Sequence, residues 1–362
     1  MAYTTIDDPS AYFQIALYTG TSDDSNKTIT NDGNSDLQPD WMWIKARSGN
    51  YSTRDHAAYD STRGVSKRLE PNTTDVEATE TSGMAFNSDG FTAIANYSIN
   101  GPSTEYVAWQ WKANGGTTSS NSSGSITSTV QASTTAGFSI VTYTGNGSQG
   151  ATIGHGLGVV PNVVLVKGRS IGDSWTMLHT GIASDFQTDM IKLDENGAAQ
   201  DNSVFWNDTA PTSSVFSVDG AGGETKVNAN GYTYVAYCFA NIQGYSKFGS
   251  YTGNGSQDGT FVYTGFKPAW IMAKRTDAAK NWYIADTTRS PNNIIKAWLK
   301  PHSSDAEDDS GDATDVYFDI LSNGFKMRQD FSHLNASGAE HIYMAFAEHP
   351  FVSSKGVPVT AR

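Results

Sequence analysis

Tyr143-Thr144-Gly145-Asn146-Gly147-Ser148-Gln149 recurs without change as Tyr251-Thr252-Gly253-Asn254-Gly255-Ser256-Gln257, and a shorter copy, Tyr18-Thr19-Gly20, stands near the start of the chain. A seven-residue identity within one sequence points to an internal repeat, and the flanking residues carry it. After each Tyr-Thr-Gly comes a proline, an apolar run and a lysine at a constant offset of six: Pro39 to Lys45, Pro161 to Lys167 and Pro268 to Lys274. An arginine follows in each copy, Arg47, Arg169 and Arg275. Next come Trp175 to His179 and Trp282 to Asp286; in the first copy His56 stands for the tryptophan and Asp60 closes the segment. Each copy ends on an apolar run that begins at Tyr106, Tyr234 or Tyr343, so that the copies measure 88, 91 and 92 residues from first tyrosine to last.

Runs of four to eight residues rich in Trp, Tyr, Val, Ile and Thr, broken by Gly, Asn, Asp and Ser, read as strands. A proline at the head of the lysine-terminated strand fits, because the first residue need not donate to the ladder. Asp89-Gly90 and Asn323-Gly324 suit tight hairpins. Helical stretches are expected only as short pieces, around 60–68 and 292–300. The fold class is therefore all-β: three tandem homologous β-sandwich, jelly-roll-like domains. The expected limits are 1–113, 137–245 and 246–351, with a Gly/Ser/Thr-rich linker at 114–136 and a C-terminal tail at 352–362. The linker composition favours a flexible tether that leaves the first domain loose and the other two packed together, although Ile126–Val130 has the makings of an edge strand. Two strands per copy are apolar on both faces, which a free-standing sandwich does not need. Long loops, a neighbouring domain or a neighbouring subunit must cover the second face.

The 362 residues carry a formal net charge of −13 with no basic cluster, which argues against nucleic acid and against an anionic membrane surface. No apolar run approaches the ~20 residues that span a bilayer, and no secretory leader is read at the start. The one cysteine, Cys238, sits in an apolar strand and reads as a small buried hydrophobe. There is no Gly-x-Ser-x-Gly elbow and no His-x-x-x-His pair. The acidic run Asp305–Asp312 departs from a calcium loop at Ser310 and Val316. Asp60, His179 and Asp286 occupy equivalent places, and an exchange between Asp and His suits a hydrogen-bonding role better than a catalytic one. His155 is expected to satisfy backbone groups at its Gly-rich turn. No catalytic residue, metal or cofactor is assigned. Nine tryptophans exceed what three small cores require, and indole faces stack on sugar rings; Trp206, Trp175 and Trp282 are the candidate ligand-binding residues.

Ala136-Gly137-Phe138-Ser139-Ile140-Val141-Thr142-Tyr143-Thr144-Gly145-Asn146-Gly147, followed by His155-Gly156-Leu157-Gly158, resembles modules in structural proteins of tailed bacteriophages, as do Tyr343–Glu348 and Gly356–Arg362. The resemblance covers 137–362 well and the first copy more loosely. It implies a tail-fibre-like virion protein, a receptor-binding adhesin made in host cytoplasm. The implied partners are other virion proteins, further copies of itself in a homotrimer that would cover the doubly apolar strands, and a host-surface glycan or protein. A capsid decoration or head-fibre protein and a polysaccharide depolymerase stand as alternatives. The resemblance carries over no catalytic residue.

Overall fold

The computed structural model describes residues 3–21, 25–80, 84–220, 225–308 and 318–359. The chain is all-β, built from antiparallel sheets. Each repeat contributes four strands that pair in one order: opening strand, closing strand, lysine strand, outer strand. The opening strands are Phe13–Thr19, Phe138–Thr144 and Ser246–Thr252; the closing strands are Thr104–Trp111, Thr233–Phe239 and Glu340–Pro350. The lysine strands are Trp41–Gly49, Val163–Gly168 and Phe266–Arg275; the outer strands are Ala57–Asp60, Thr176–His179 and Trp282–Asp286. A smaller sheet covers one face in each repeat, for example Ala151–Gly154 with Val215–Val218 in the second.

Strand periodicity explains why both faces are apolar. Successive side chains point to opposite faces. Trp41 and Trp43, Val163 and Leu165, and Trp270 and Met272 all enter one core that the three repeats share. The intervening residues face private cores: Met42 and Ile44 in the first repeat, Val164 and Val166 in the second, Ile271 and Ala273 in the third. The covering that the sequence requires is therefore supplied inside a single chain. The shared core holds seven of the nine tryptophans, which accounts for their excess over three small cores. Its rings are in direct contact across repeats: Trp41 stacks on Tyr237 at 4.6 Å, and Trp111 meets Trp270 edge-on at 5.8 Å.

The Tyr-Thr-Gly motif is a clasp between the opening strand and a loop before the closing strand. The hydroxyls of Tyr18, Tyr143 and Tyr251 donate to the carbonyls of Ile99, Val227 and Leu334. The next residue in each loop is a buried asparagine, Asn100, Asn228 or Asn335, whose side-chain oxygen accepts from the backbone N–H just past the motif glycine. The glycine is needed for close approach: a Cβ on Gly20, Gly145 or Gly253 would lie 2.0–2.3 Å from a loop carbonyl.

Three sequence expectations are corrected, and the tight hairpin expected at Asn323-Gly324 is present with its turn one residue earlier. The register sets Tyr251 opposite His341, as it sets Tyr18 opposite Tyr106 and Tyr143 opposite Tyr234. His341 is thus the counterpart of the closing tyrosines and stacks on Tyr251 at 4.7 Å; Tyr343 lies two residues later and faces its private core. The segment 114–136 is not a loose tether. Ser128–Ser133 pairs with the opening strand of the second repeat, and Ser119–Asn121 pairs with it in turn. The Asp40 carboxylate pins the start of that segment by accepting from the N–H groups of Ala113, Gly115 and Gly116. The first repeat is therefore packed as firmly as the others. Neither 60–68 nor 292–300 is helical; the only α-helical turn among the described residues is Tyr97–Asn100. The hairpin at 318–327 turns through Ser322-Asn323, with Gly324 already in the strand.

Candidate functional site

The three repeats close into a ring, and each joint uses the same positions. At the first joint Trp175 Nε1 donates to the Glu70 carbonyl, and at the second Trp282 Nε1 donates to that of Lys192. At the third, His56 replaces tryptophan and its Nε2 lies 3.1 Å from the Lys300 carbonyl. Trp43 Nε1 donates to His56 Nδ1, which leaves the proton on Nε2 and makes the ring a donor like indole. Burial pushes the His56 pKa well below its usual value, so the ring stays neutral.

Charges join two of the three joints. Asp60 and Arg63 form a fully buried ion pair, and Glu77 bonds both Arg63 and Arg169 of the next repeat. Asp286, Arg289, Glu307 and Arg47 repeat this arrangement. Each inner aspartate also accepts from an aromatic side chain across the joint: Tyr237 Oη to Asp60 at 2.7 Å and Trp109 Nε1 to Asp286 at 3.0 Å. The remaining joint carries none of the four charges, Thr276 standing for Arg47 and Arg169. His179 stands for the aspartate, Ile182 for the arginine and Ala199 for the glutamate. The equivalence is fixed by backbone bonds: Glu77, Glu307 and Ala199 N–H donate to Arg169, Arg47 and Thr276 carbonyls. His179 Nε2 lies 3.1 Å from the Tyr343 carbonyl, while Nδ1 accepts from Gly181 N–H. Burial lowers its pKa to about 4.

The three motif lysines are wholly buried and bind carbonyl oxygens, Lys45 that of Ser52 and Lys167 those of Thr74 and Asp173. Burial brings Lys45, Lys167 and Lys274 down to about 8. His155 accepts from Leu157 N–H and faces the Thr212 carbonyl, the backbone role expected of it. Cys238 is buried, and burial raises its thiol to about 12.

The candidate ligand-binding tryptophans present no ring face to solvent. Trp175 and Trp206 are 0 % exposed and Trp282 is 1 %. Trp175 and Trp282 are joints of the ring, and Trp206 Nε1 donates to the Asp189 carbonyl inside the second private core. The exposed aromatics lie elsewhere. Phe261 and Tyr263 lie two apart on one strand and are 44 % and 49 % exposed, with Lys247 Nζ 5.5 Å from the Tyr263 ring. Their period-2 spacing between Thr260 and Thr264 was the signal available in the sequence. In the acidic run, Glu307 is taken by Arg47 and Arg289 and Asp305 by Lys300; residues 309–312 lie outside the described residues. Among the described residues no group of three His, Cys, Asp or Glu is placed to hold a metal ion. Among the described residues no helix is long and apolar enough to cross a membrane.

Residues 8–350 match the family described as a domain of unknown function, DUF7483. The chain belongs to this family. The match spans all three repeats, so the family's unit is the whole ring and not one copy of the β module. No curated protein matches the chain, and no solved structure does.

Proposed function

We propose that this DUF7483 protein is a non-enzymatic virion structural protein of a tailed bacteriophage, a tail-fibre or receptor-binding adhesin that works through its surface. The observation that supports a binding role is where the buried charges go. Asp60, Arg63, Glu77, Asp286, Arg289 and Glu307 are consumed in joining repeats, each charge held by a partner of opposite sign. Catalytic carboxyls of a glycosidase must instead face a substrate cleft. The placement on a virion rests on the sequence resemblance. For glycan recognition, Phe261 and Tyr263 offer the exposed apolar ring faces that the buried tryptophans do not. The homotrimer was expected as the cover for doubly apolar strands, and that need is met within the chain; the resemblance alone now speaks for it.

A second reading, a capsid decoration or head-fibre protein, is favoured by the ring itself. A body with three near-equivalent sectors matches a point on a shell where three identical subunits meet. Labelling intact phage particles with antibody to this chain and imaging them tests both. Label at the tail supports the adhesin, label on the shell supports the decoration protein, and no label on particles contradicts both. Release of new reducing ends from host-surface glycan would show a depolymerase instead.

A further inference from the structure

The three opening strands are equivalent sheet edges, and the chain treats them differently. In the first repeat Lys112 N–H donates to the Tyr12 carbonyl and Gly20 N–H to that of Thr104. Antiparallel pairing alternates, so Phe13, Ile15, Leu17 and Thr19 turn their N–H and C=O groups away from the closing strand. In the second repeat the matching residues Phe138, Ile140 and Thr142 are paired with Ser133, Gln131 and Thr129. In the third the edge is capped at both ends, and only the central Ser250 keeps both outward groups without a partner among the described residues. Ile242 bonds Ser246, Asn241 Oδ1 accepts from Phe248 N–H at 2.7 Å, and Thr260 Oγ1 donates to the Thr252 carbonyl. In the first repeat, none of the outward groups of Phe13, Ile15, Leu17 and Thr19 has a hydrogen-bond partner among the described residues.

Natural proteins blunt an open edge with charge, proline or a bulge. Phe13-Gln14-Ile15-Ala16-Leu17-Tyr18-Thr19 has no charge and no proline, and its register is unbroken. There is also room beside it. A cleft of about 440 Å³ runs past Phe13 and Ile15, with Lys267, Thr287 and Glu348 of the third repeat on its far wall.

We propose that the edge Phe13–Thr19 accepts an antiparallel strand from a second polypeptide, in the place that Ser128–Ser133 fills on the second repeat. The chain's own strand shows the chemistry that fits: uncharged, with small and β-branched residues, as in Ser128-Thr129-Val130-Gln131-Ala132-Ser133. Main-chain bonds supply the affinity in such a contact and alternate side chains the selectivity. The inference does not depend on the virion reading.

The probe is a synthetic peptide of residues 126–134, added to the full chain and followed by amide hydrogen exchange. Exchange at Phe13, Ile15, Leu17 and Thr19 is expected to slow at least tenfold on peptide binding. Leu17→Pro removes one outward donor without touching the closing strand, and peptide affinity is expected to fall at least tenfold. Should that variant fail to fold, the exchange pattern of the unaltered chain decides. The proposal is overturned if millimolar peptide protects none of these four amides. Protection confined to Ile140 and Thr142, with the peptide displacing the chain's own strand, also overturns it. So does protection of the four amides without peptide that grows with protein concentration, which would make a second copy the occupant.

Discussion

Glu77 holds Arg169 of the next repeat through two hydrogen bonds of 2.8 and 2.9 Å, and the same carboxylate backs Arg63, which no solvent reaches. Without Glu77, Arg63 keeps Asp60 but Arg169 loses both of its bonds, and a hydrogen bond between charged groups is worth ~1.5–3 kcal/mol. Glu77→Ala is therefore expected to destabilise the chain by that order, and Glu307→Ala similarly, because it backs Arg289. Glu195→Ala is the control. Its partner Lys192 is an (i, i+3) neighbour and Glu195 is 46 % exposed, so the change stays within ~1 kcal/mol. Denaturant titration of the three variants checks the order.

The joint that carries His179, Ile182 and Ala199 shows that the charged network is replaced as a set. Neighbouring residues in one network do not contribute additively. Arg289→Ile alone strands Asp286, whereas Asp286→His, Arg289→Ile and Glu307→Ala together remove the buried charges and leave only the partly exposed Arg47, where the uncharged joint has Thr276. The triple variant is expected to lose less stability than the three single losses summed, by at least ~1 kcal/mol. Equality of the sum and the triple in equilibrium unfolding would speak against a replaceable set.

All nine tryptophans are buried, none more than 3 % exposed. Their emission should be blue-shifted and weakly quenched by acrylamide, and host glycan should not change it. Partnered and unpartnered indoles should also differ. Trp282 Nε1 has the Lys192 carbonyl, whereas Trp270 Nε1 has no acceptor in the shared core. Trp282→Phe leaves a carbonyl without its donor, at a further cost of ~1 kcal/mol over Trp270→Phe. Paired melts of the two variants measure the difference.

His179 gives the acid dependence a sign. Its folded pKa, about 4, lies below the usual histidine value, so the unfolded chain binds the extra proton first. Stability is fully present above roughly pH 6.5 and is lost as the pH falls towards 4. One group with this shift accounts for roughly 3 kcal/mol at most. His56 and His155, also lowered by burial, act in the same direction. His179→Gln keeps an amide donor for the Tyr343 carbonyl and removes the titration. It should shrink the stability lost between pH 6.5 and 4 without abolishing it.

The sequence revealed the repeat and the strand types because Tyr-Thr-Gly and the Pro-to-Lys run are local patterns fixed by one clasp and one lysine pocket. It revealed that a second face needed covering, but not by what. Periodicity shows that Trp41 and Met42 point opposite ways; it does not name the surface each meets. Trp175, Trp206 and Trp282 therefore look available to a ligand in the sequence, although the shared core takes Trp175 and Trp282 and the second private core takes Trp206. Composition also misled at 114–136, where Asp40 and an unpaired sheet edge order residues that have little apolar surface of their own. The clasp asparagines Asn100, Asn228 and Asn335 were missed, although each follows Ile, Val or Leu and stands six residues before Tyr106, Tyr234 or His341. Asp60, His179 and Asp286 were read correctly as equivalent, and their partners became visible only with the neighbouring repeat in place.

The central claim is that the three repeats fold as one body around the shared aromatic core. Differential scanning calorimetry of the full chain tests it directly. A single endotherm with equal calorimetric and van't Hoff enthalpies, shifted as a whole by Trp41→Ala, is the expected result. Separate transitions, with Trp41→Ala moving only the first repeat's, would contradict it.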